Sequence, residues 1–397
     1  MKTCRICQGT EFKEVLDMGD NALVNNLIEE KDLDKKEETY PLLVEQCQDC
    51  FLVQIVNPVD THKIYQAQDY LYFTGEMPTT NEYFKEFAIE LKRYLKNNSF
   101  VVEIGSNDGT MLSHFKEYKI LGIDPSTNVV IRALAKGIPT LSSGFNEQNA
   151  KNIRKEFGQA TLIGGANCIA HIDDIHSLMR GVKELLSDEG VFWVECNYWG
   201  GMVKNKNYSL VYHDHYSYFS LKSWFDLAKM YGMECFDAYV TPAQGGSLRV
   251  FLSKTKKVRT PRLIDLMEEE VNLNNYETAE RYGRECKEEA LKLKDKIDEI
   301  KKDGKTIAGY GAAAKGFSIL KLAGIDERHI DYFVDDSPAK QGKYTPVSHI
   351  PVVARKDRPD PDYFFLTAPN YSKIIIDKEK DFKDNGGHFI TSDCRII

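Results

Sequence analysis

The sequence predicts an α/β protein with a small amino-terminal metal module, a central sheet flanked by helices and a second, carboxy-terminal βα unit. Three observations carry that expectation. Strand-like and helix-like text alternates from VVEIG (101–105) to GVFWVEC (190–196); two C-x2-C pairs stand near the start; and KTIAGYGAAAKGFSILKLAG (305–324) repeats the order strand, glycine turn, helix. Alternation of this kind implies a parallel sheet with helices on both faces.

At 397 residues the chain exceeds the ~150-residue norm for one domain, so two or three packed units are expected. The 42% hydrophobic and 28% charged content is that of a globular protein. A net charge of -8 argues against a nucleic-acid-coating role, which would need an excess of Lys and Arg. No run approaches the ~20 apolar residues of a membrane helix, and MKTCRICQGTEF lacks the apolar core of a secretion signal, so a cytoplasmic protein is expected.

In that reducing compartment the nine cysteines read as thiols or metal ligands. Cys168, Cys196, Cys235, Cys286 and Cys394 are scattered singly and read as small buried hydrophobes. Cys4, Cys7, Cys47 and Cys50 instead form two C-x2-C pairs, the spacing that closes a tetrahedral zinc site. Four thiolates leave no open coordination position, so this zinc is structural, and residues 1–68 form its module.

A helix with Phe84, Phe87, Leu91 and Leu95 at helical spacing then opens a second domain, 69–265. Its first strand, VVEIG, runs directly into SNDG, so Glu103, Gly105, Asn107, Asp108 and Gly109 surround a strand-to-helix turn where backbone approaches a ligand closely. The next strand ends in Asp124, placed to accept the hydroxyls of a ribose. The G-x-G-x-x-G cradle of a pyrophosphate is incomplete, which favours a nucleoside cofactor without phosphates, such as S-adenosylmethionine.

From Glu268 to Lys302 a charged helix keeps Ala279, Tyr282, Cys286, Leu293, Ile297 and Ile300 on one stripe and joins the second domain to a third, 266–397. There Gly309, Gly311 and Lys315 at a helix start, with Lys340 from the following IDYFVDDSPAKQG, suit a diphosphate held by backbone N–H groups and cations. In VYHDHYSYFS, a strand would put His213 and His215 on one face, whereas a helical turn would pair Tyr212 with His215. His213, His176 and His114 read as ordinary core or surface imidazoles.

The turn EIGSNDG resembles the first motif of class I methyltransferases. With ANCIAHIDDIHSL, VYHDHYSYFS, QGGSLRVF and the cysteine quartet, nearly the whole chain resembles the S-adenosylmethionine-dependent C-methyltransferases of deoxysugar biosynthesis. The resemblance implies a zinc-binding module, a class I methyltransferase domain and a Rossmann-like domain holding the nucleotide of the substrate. It implies the helical-turn arrangement, with His215 as base and Tyr212 in support, Asp214 beside them, and His171 and Asn167 facing the same cleft. It matches an upstream tyrosine to Tyr70 or Tyr72; Tyr72 is preferred as catalytic and Tyr70 as a substrate contact.

The chain departs from that family at Asp214, usually glutamate, at Gln244, usually histidine, and at Pro369, usually tryptophan. The expected activity is methyl transfer to a carbon beside the keto group of a nucleotide-linked keto-deoxysugar, C-3 of a 4-keto sugar, by a monomer or small homo-oligomer. An O- or N-methyltransferase acting on a similar sugar would share the cofactor site but need no base for a carbon acid. A zinc-ribbon adaptor with a vestigial fold would bind no cofactor at all.

Overall fold

In the computed structural model, which describes residues 2–65, 70, 72–76 and 78–397, three larger sheets carry the architecture. The 68/69 division drawn from the sequence lies outside the described residues. The central sheet has seven strands in the spatial order Glu234–Thr241, Ser247–Ser253, Leu186–Asn197, Ala160–Ala166, Phe100–Ile104, Lys119–Asp124 and Thr140–Ser142. The last five are mutually parallel. The sheet is not wholly parallel, however: Ser247–Ser253 runs antiparallel to both of its neighbours. Phe100–Ile104 is buried along its whole length, as expected of a strand covered on both faces.

The carboxy-terminal sheet is parallel throughout, in the order Val352–Val353, Tyr332–Val334, Ile307–Tyr310, Tyr363–Leu366, His388–Ile390. The amino-terminal sheet pairs Phe12–Asn21, Tyr40–Cys47 and Val53–Ile55 antiparallel, and Ser217–Tyr218 completes it from far along the chain. That two-residue strand directly follows the YHDHY segment, so the metal module and the histidine motif share a sheet. A second pairing, Lys343–Tyr344 with Ile28–Glu29, ties the module to the carboxy-terminal lobe.

The helix expected over 268–302 is two helices, Pro261–Glu269 and Tyr276–Lys302. The break is set by Asn275, whose side chain accepts the Thr278 N–H at 2.8 Å and caps the second helix. All six predicted stripe residues are buried. Gly283 lies where the helix crosses the first strand, and a Cβ there would stand 1.8 Å from the Val15 carbonyl oxygen. The helix Pro78–Lys92 buries Phe84, Phe87 and Leu91, with Leu95 just past its end. Among the described residues no helix is long and apolar enough to cross a membrane.

Candidate active site

The carboxyl ends of the central parallel strands open into a cleft of about 860 Å3, whose far wall comes from the carboxy-terminal lobe and whose side is closed by Val24, Asn25 and Leu27 of the amino-terminal module. Open α/β sheets bind ligands at this edge. Of the residues singled out in sequence, Tyr70, Tyr72, Gly105, Asn107, Asp124, Asn167, His171, Tyr212, Asp214, His215, Lys315 and Lys340 meet here.

The turn after Phe100–Ile104 packs too closely against Cys168 to carry a side chain at its first residue. Gly105 has φ +63°, and a Cβ on it would stand 2.5 Å from Cys168 Cβ and 2.8 Å from its Sγ. Asn107, also left-handed at φ 48°, donates its N–H to Asp124 Oδ2 at 3.0 Å, while its amide accepts from Thr74 N–H at 3.0 Å and donates to the Tyr72 carbonyl at 3.1 Å. Asp124 Oδ1 accepts the Ser126 N–H at 2.9 Å, and the Ser126 hydroxyl also bonds the carboxylate, which lines the cleft at the strand end.

Three other residues of this turn do not reach the cleft. Asp108 turns inward to Lys136 at 2.8 Å and Thr110 at 2.6 Å; burial pushes its pKa up, but those bonds outweigh it and hold the carboxyl below its ordinary value. Glu103 is buried beneath the turn, where desolvation and then the Asp124 charge push its carboxyl well up. Gly109 faces Ile138 and serves the turn itself.

Asn167, left-handed at φ 55°, donates its amide to Glu195 Oε1 at 3.3 Å, leaving its buried Oδ1 without a partner among the described residues. Glu195 is fully buried, and its other oxygen accepts from Arg249 Nε at 2.6 Å and from the Tyr83 hydroxyl at 2.5 Å. Sequence reading passed over Glu195, Arg249 and Tyr83. The available signal was a single charge inside each of two apolar strands, VFWVEC and SLRVF, because a buried charge demands a partner.

Tyr212 to His215 form a turn, with the His215 N–H donating to the Tyr212 carbonyl at 3.0 Å. This stacks the two side chains three apart, ring centres 4.0 Å from each other, and sends His213 away to the Tyr40 carbonyl. The His171 ring lies 5.0 Å from that of His215. Desolvation holds both imidazoles neutral: His171 is lowered to about 4, and His215 falls well below 6.5, first by burial and then by His171. Burial pushes Asp214 up to about 7 against the hydrogen bond it accepts from Asn25 at 3.1 Å. Tyr70 stands close enough to Asp214 to feel its charge, whereas Tyr72 feels those of Tyr371 and Asp108.

On the far wall, Ala312, Ala313, Ala314 and Lys315 bring the start of helix Ala314–Ala323 to the cleft with no side-chain cap. Its free first-turn N–H groups suit an anion. Burial lowers Lys315 to about 7, and its ammonium donates to Gln244 Oε1 at 2.7 Å, an oxygen shared with Asn370 at 3.0 Å. Lys340 donates to the Ala312 carbonyl at 2.8 Å and to Asp335. Gly309 is not part of this wall: it lies inside its strand against the Phe333 ring, while Gly311, at φ +95°, makes the turn leading to Ala312.

At the opposite end of the module the sulfurs of Cys4, Cys7, Cys47 and Cys50 all lie within 4.8 Å of one another. A zinc tetrahedron with bonds of about 2.3 Å has sulfur edges of roughly 3.8 Å, so the four fit that ion with little adjustment. The two knuckles are built alike. Gln8 and Phe51, each one residue past its pair and left-handed, donate their N–H groups to the Cys4 and Cys47 carbonyls at 3.0 Å.

Three family models match in succession: "Putative zinc binding domain" over residues 4–65, "Methyltransferase domain" over 79–237 and "C-methyltransferase C-terminal domain" over 242–392. C-methyltransferase NovU of Streptomyces niveus is 32% identical over 98% of this chain and 94% of its own. Among solved structures, the CcbJ methyltransferase of Streptomyces caelestis aligns at 13% identity and TM-score 0.35 over 44% of this chain and 90% of that one. The plantazolicin methyltransferase BpumL, solved with SAH, aligns at 13% identity and TM-score 0.36 over 46% of this chain and 86% of its own.

Proposed function

This chain belongs to the C-methyltransferase family, and from that premise we propose that it transfers a methyl group from S-adenosylmethionine to a carbon beside the keto group of a nucleotide-linked keto-deoxysugar, C-3 of a 4-keto sugar, through an enolate. The observation that carries this reading is the His215 imidazole. Its Nδ1 lies 2.6 Å from the Leu210 carbonyl oxygen, which only accepts, so Nδ1 keeps its proton and Nε2 is left with the lone pair.

S-adenosylmethionine, when bound, supplies an electrophilic methyl group; Asp124 suits its ribose, Asn167 Oδ1 its ammonium, and the left-handed turn at Gly105 brings backbone to the cleft beside it. His215 Nε2 takes the proton from the carbon acid, and the Leu210 carbonyl steadies the imidazolium that forms. Tyr212, which burial keeps protonated well above its ordinary range, donates to the developing oxyanion. Asp214, when protonated, and Tyr70 line the same cleft and add donors to it. The Lys315 ammonium and the open helix start bind the diphosphate, placing the sugar ring between the two lobes.

Incubation with a nucleotide-linked 4-keto-deoxysugar in deuterated water tests the reading. Deuterium is expected at the carbon beside the ketone without cofactor, and a carbon-bound methyl with it, both lost in His215→Ala. Methyl transfer to oxygen or nitrogen without exchange refutes the enolate and assigns the site to the alternative acceptors.

A further inference from the structure

Arg5 stands between the two cysteines of the first knuckle, yet its guanidinium is buried and reaches away from them. Its Nη1 donates to the Ile55 carbonyl at 2.6 Å, the Tyr216 carbonyl at 3.0 Å and Gln54 Oε1 at 3.1 Å, and its Nε donates to Asp173 Oδ1 at 2.8 Å. Its backbone N–H is held by Gln54 as well, at 3.2 Å. Two of these partners belong to the histidine loops: Tyr216 directly follows His215, and Asp173 lies two residues past His171. The loops also touch each other, since the Tyr216 N–H donates to the Ala170 carbonyl at 2.8 Å.

An apolar side chain would fill this space without the cost of desolvating a charge. Only a planar fork with several donors bridges a metal knuckle, the edge of the module sheet and two loops at once. We propose that Arg5 is a positioning residue for the His171 and His215 imidazoles, tying the loops that carry them to the first cysteine knuckle from outside the cleft. This rests on the reading of His215 as the base. Small displacements suffice, because a 1 Å misplacement of a reacting group costs on the order of 100-fold in rate.

The test uses the full-length, zinc-loaded enzyme carrying Arg5→Lys, Asp173→Asn, or both. Four quantities are measured: zinc per chain, S-adenosylmethionine affinity by calorimetry, the imidazole NMR resonances of His171 and His215 without substrate, and kcat for methyl transfer. Arg5→Lys is expected to keep zinc and to hold cofactor affinity within about twofold, to shift both imidazole resonances, and to lower kcat by roughly 10- to 100-fold. Asp173→Asn does the same more weakly, and the double variant is no worse than Arg5→Lys alone. Unmoved resonances with unchanged kcat overturn the proposal, as does a kcat loss that merely tracks zinc loss. Should Arg5→Lys fail to fold, the half-exposed Asp173 decides: unchanged kcat and resonances in Asp173→Asn overturn it. Methyl transfer retained by His215→Ala instead refutes the assignment of the base, while the resonance shifts still report on Arg5.

Discussion

The Nδ1 of His215 and the backbone carbonyl of Leu210, 2.6 Å apart and both buried, fix which imidazole nitrogen does chemistry. The same burial, with His171 adding to it, depresses the imidazolium, while Tyr212 and Tyr218 pack against the ring and Lys315 contributes a further opposing charge. A base works when unprotonated, and a folded-state pKa below 6.5 keeps the neutral form as pH falls through 6.5. The acid limb of kcat/KM for the free enzyme is therefore expected below pH 6.5. His215→Ala is expected to lower the rate of solvent exchange at the substrate carbon by about 10^2- to 10^4-fold, the usual weight of a positioned base. Proton exchange followed by NMR across pH 5 to 8 checks both.

Asp214 titrates near 7 because burial disfavours its charged form, with the Asn25 amide pulling the other way. If the protonated acid donates to the oxyanion, activity falls as pH rises through that value. Asn25→Ala removes a bond made to the carboxylate, so the remaining balance favours the acid and the basic limb moves up, by about one pH unit for a hydrogen bond worth ~1.4 kcal/mol. Asp214→Asn, which donates at every pH, is expected to flatten that limb. A kcat profile from pH 6 to 9 for the three proteins measures the shift.

Local pattern made most of the framework legible, and what stayed hidden depended on contacts remote in sequence. The strands around VVEIG, KILGID and GVFWVEC announce themselves by apolar runs, and the cysteine pairs by spacing alone. Ser217–Tyr218 gives no such signal: two residues have no periodicity, and their partner strand Val53–Ile55 is far upstream. The break before Asn275 falls in the uncharged stretch VNLNNY (271–276), whose three asparagines were the available signal and were outweighed by the helical stripe that follows. Glu103, Asp108 and Gly309 look from their positions like ligand contacts, yet a side chain beside a glycine turn can face either way, and these serve the turn or the sheet. Asn25 carried no motif, and Arg5 only its place between Cys4 and Cys7; only the packing of the module against the histidine loops gives either a link to the site.

The four-sulfur cluster sits on buried Cys4, Cys47 and Cys50 with Cys7 half-buried, and its knuckles hold the ends of the module sheet. Removal of the ion leaves four thiols crowded in that space, and folding free energy supplied by the metal is lost. One zinc per chain is expected by elemental analysis. Chelation is expected to make all four thiols react rapidly with a disulfide reagent and to lower the first calorimetric transition by roughly 10 °C. Unchanged thiol reactivity after chelation would show that no metal staples the module.

Gly105 combines a left-handed backbone with the absence of room for a Cβ, since the nearest obstacle, Cys168 Cβ, is itself rigidly attached to backbone. Gly105→Ala therefore strains the turn by about 1 to 2 kcal/mol from the backbone alone, before Cys168 is displaced toward the cleft. Cofactor affinity by calorimetry is expected to fall at least tenfold, each ~1.4 kcal/mol being one decade. Gly137→Ala serves as the control, because Gly137 is equally left-handed at φ +75° but open to space, and its affinity should stay near wild type.

Lys315 gives a pH dependence of opposite origin to that of the base. Burial lowers its ammonium to about 7 while Gln244 holds it by neutral oxygens, the side-chain Oε1 at 2.7 Å and the carbonyl at 3.2 Å. A diphosphate diester stays ionised throughout the neutral range and binds the charged form of the lysine. Below pH 7 that form is already present; above it, binding must draw in a proton, so KM for the nucleotide sugar is expected to rise by up to about tenfold per pH unit. Lys315→Arg, charged at every pH, is expected to hold KM flat. Lys315→Gln is expected to raise KM at pH 6.5 and to remove the slope as well, because no titrating cation remains. Initial rates at varied substrate between pH 6 and 9 separate these cases, and a wild-type KM that stays flat over that range would remove Lys315 from the substrate contacts.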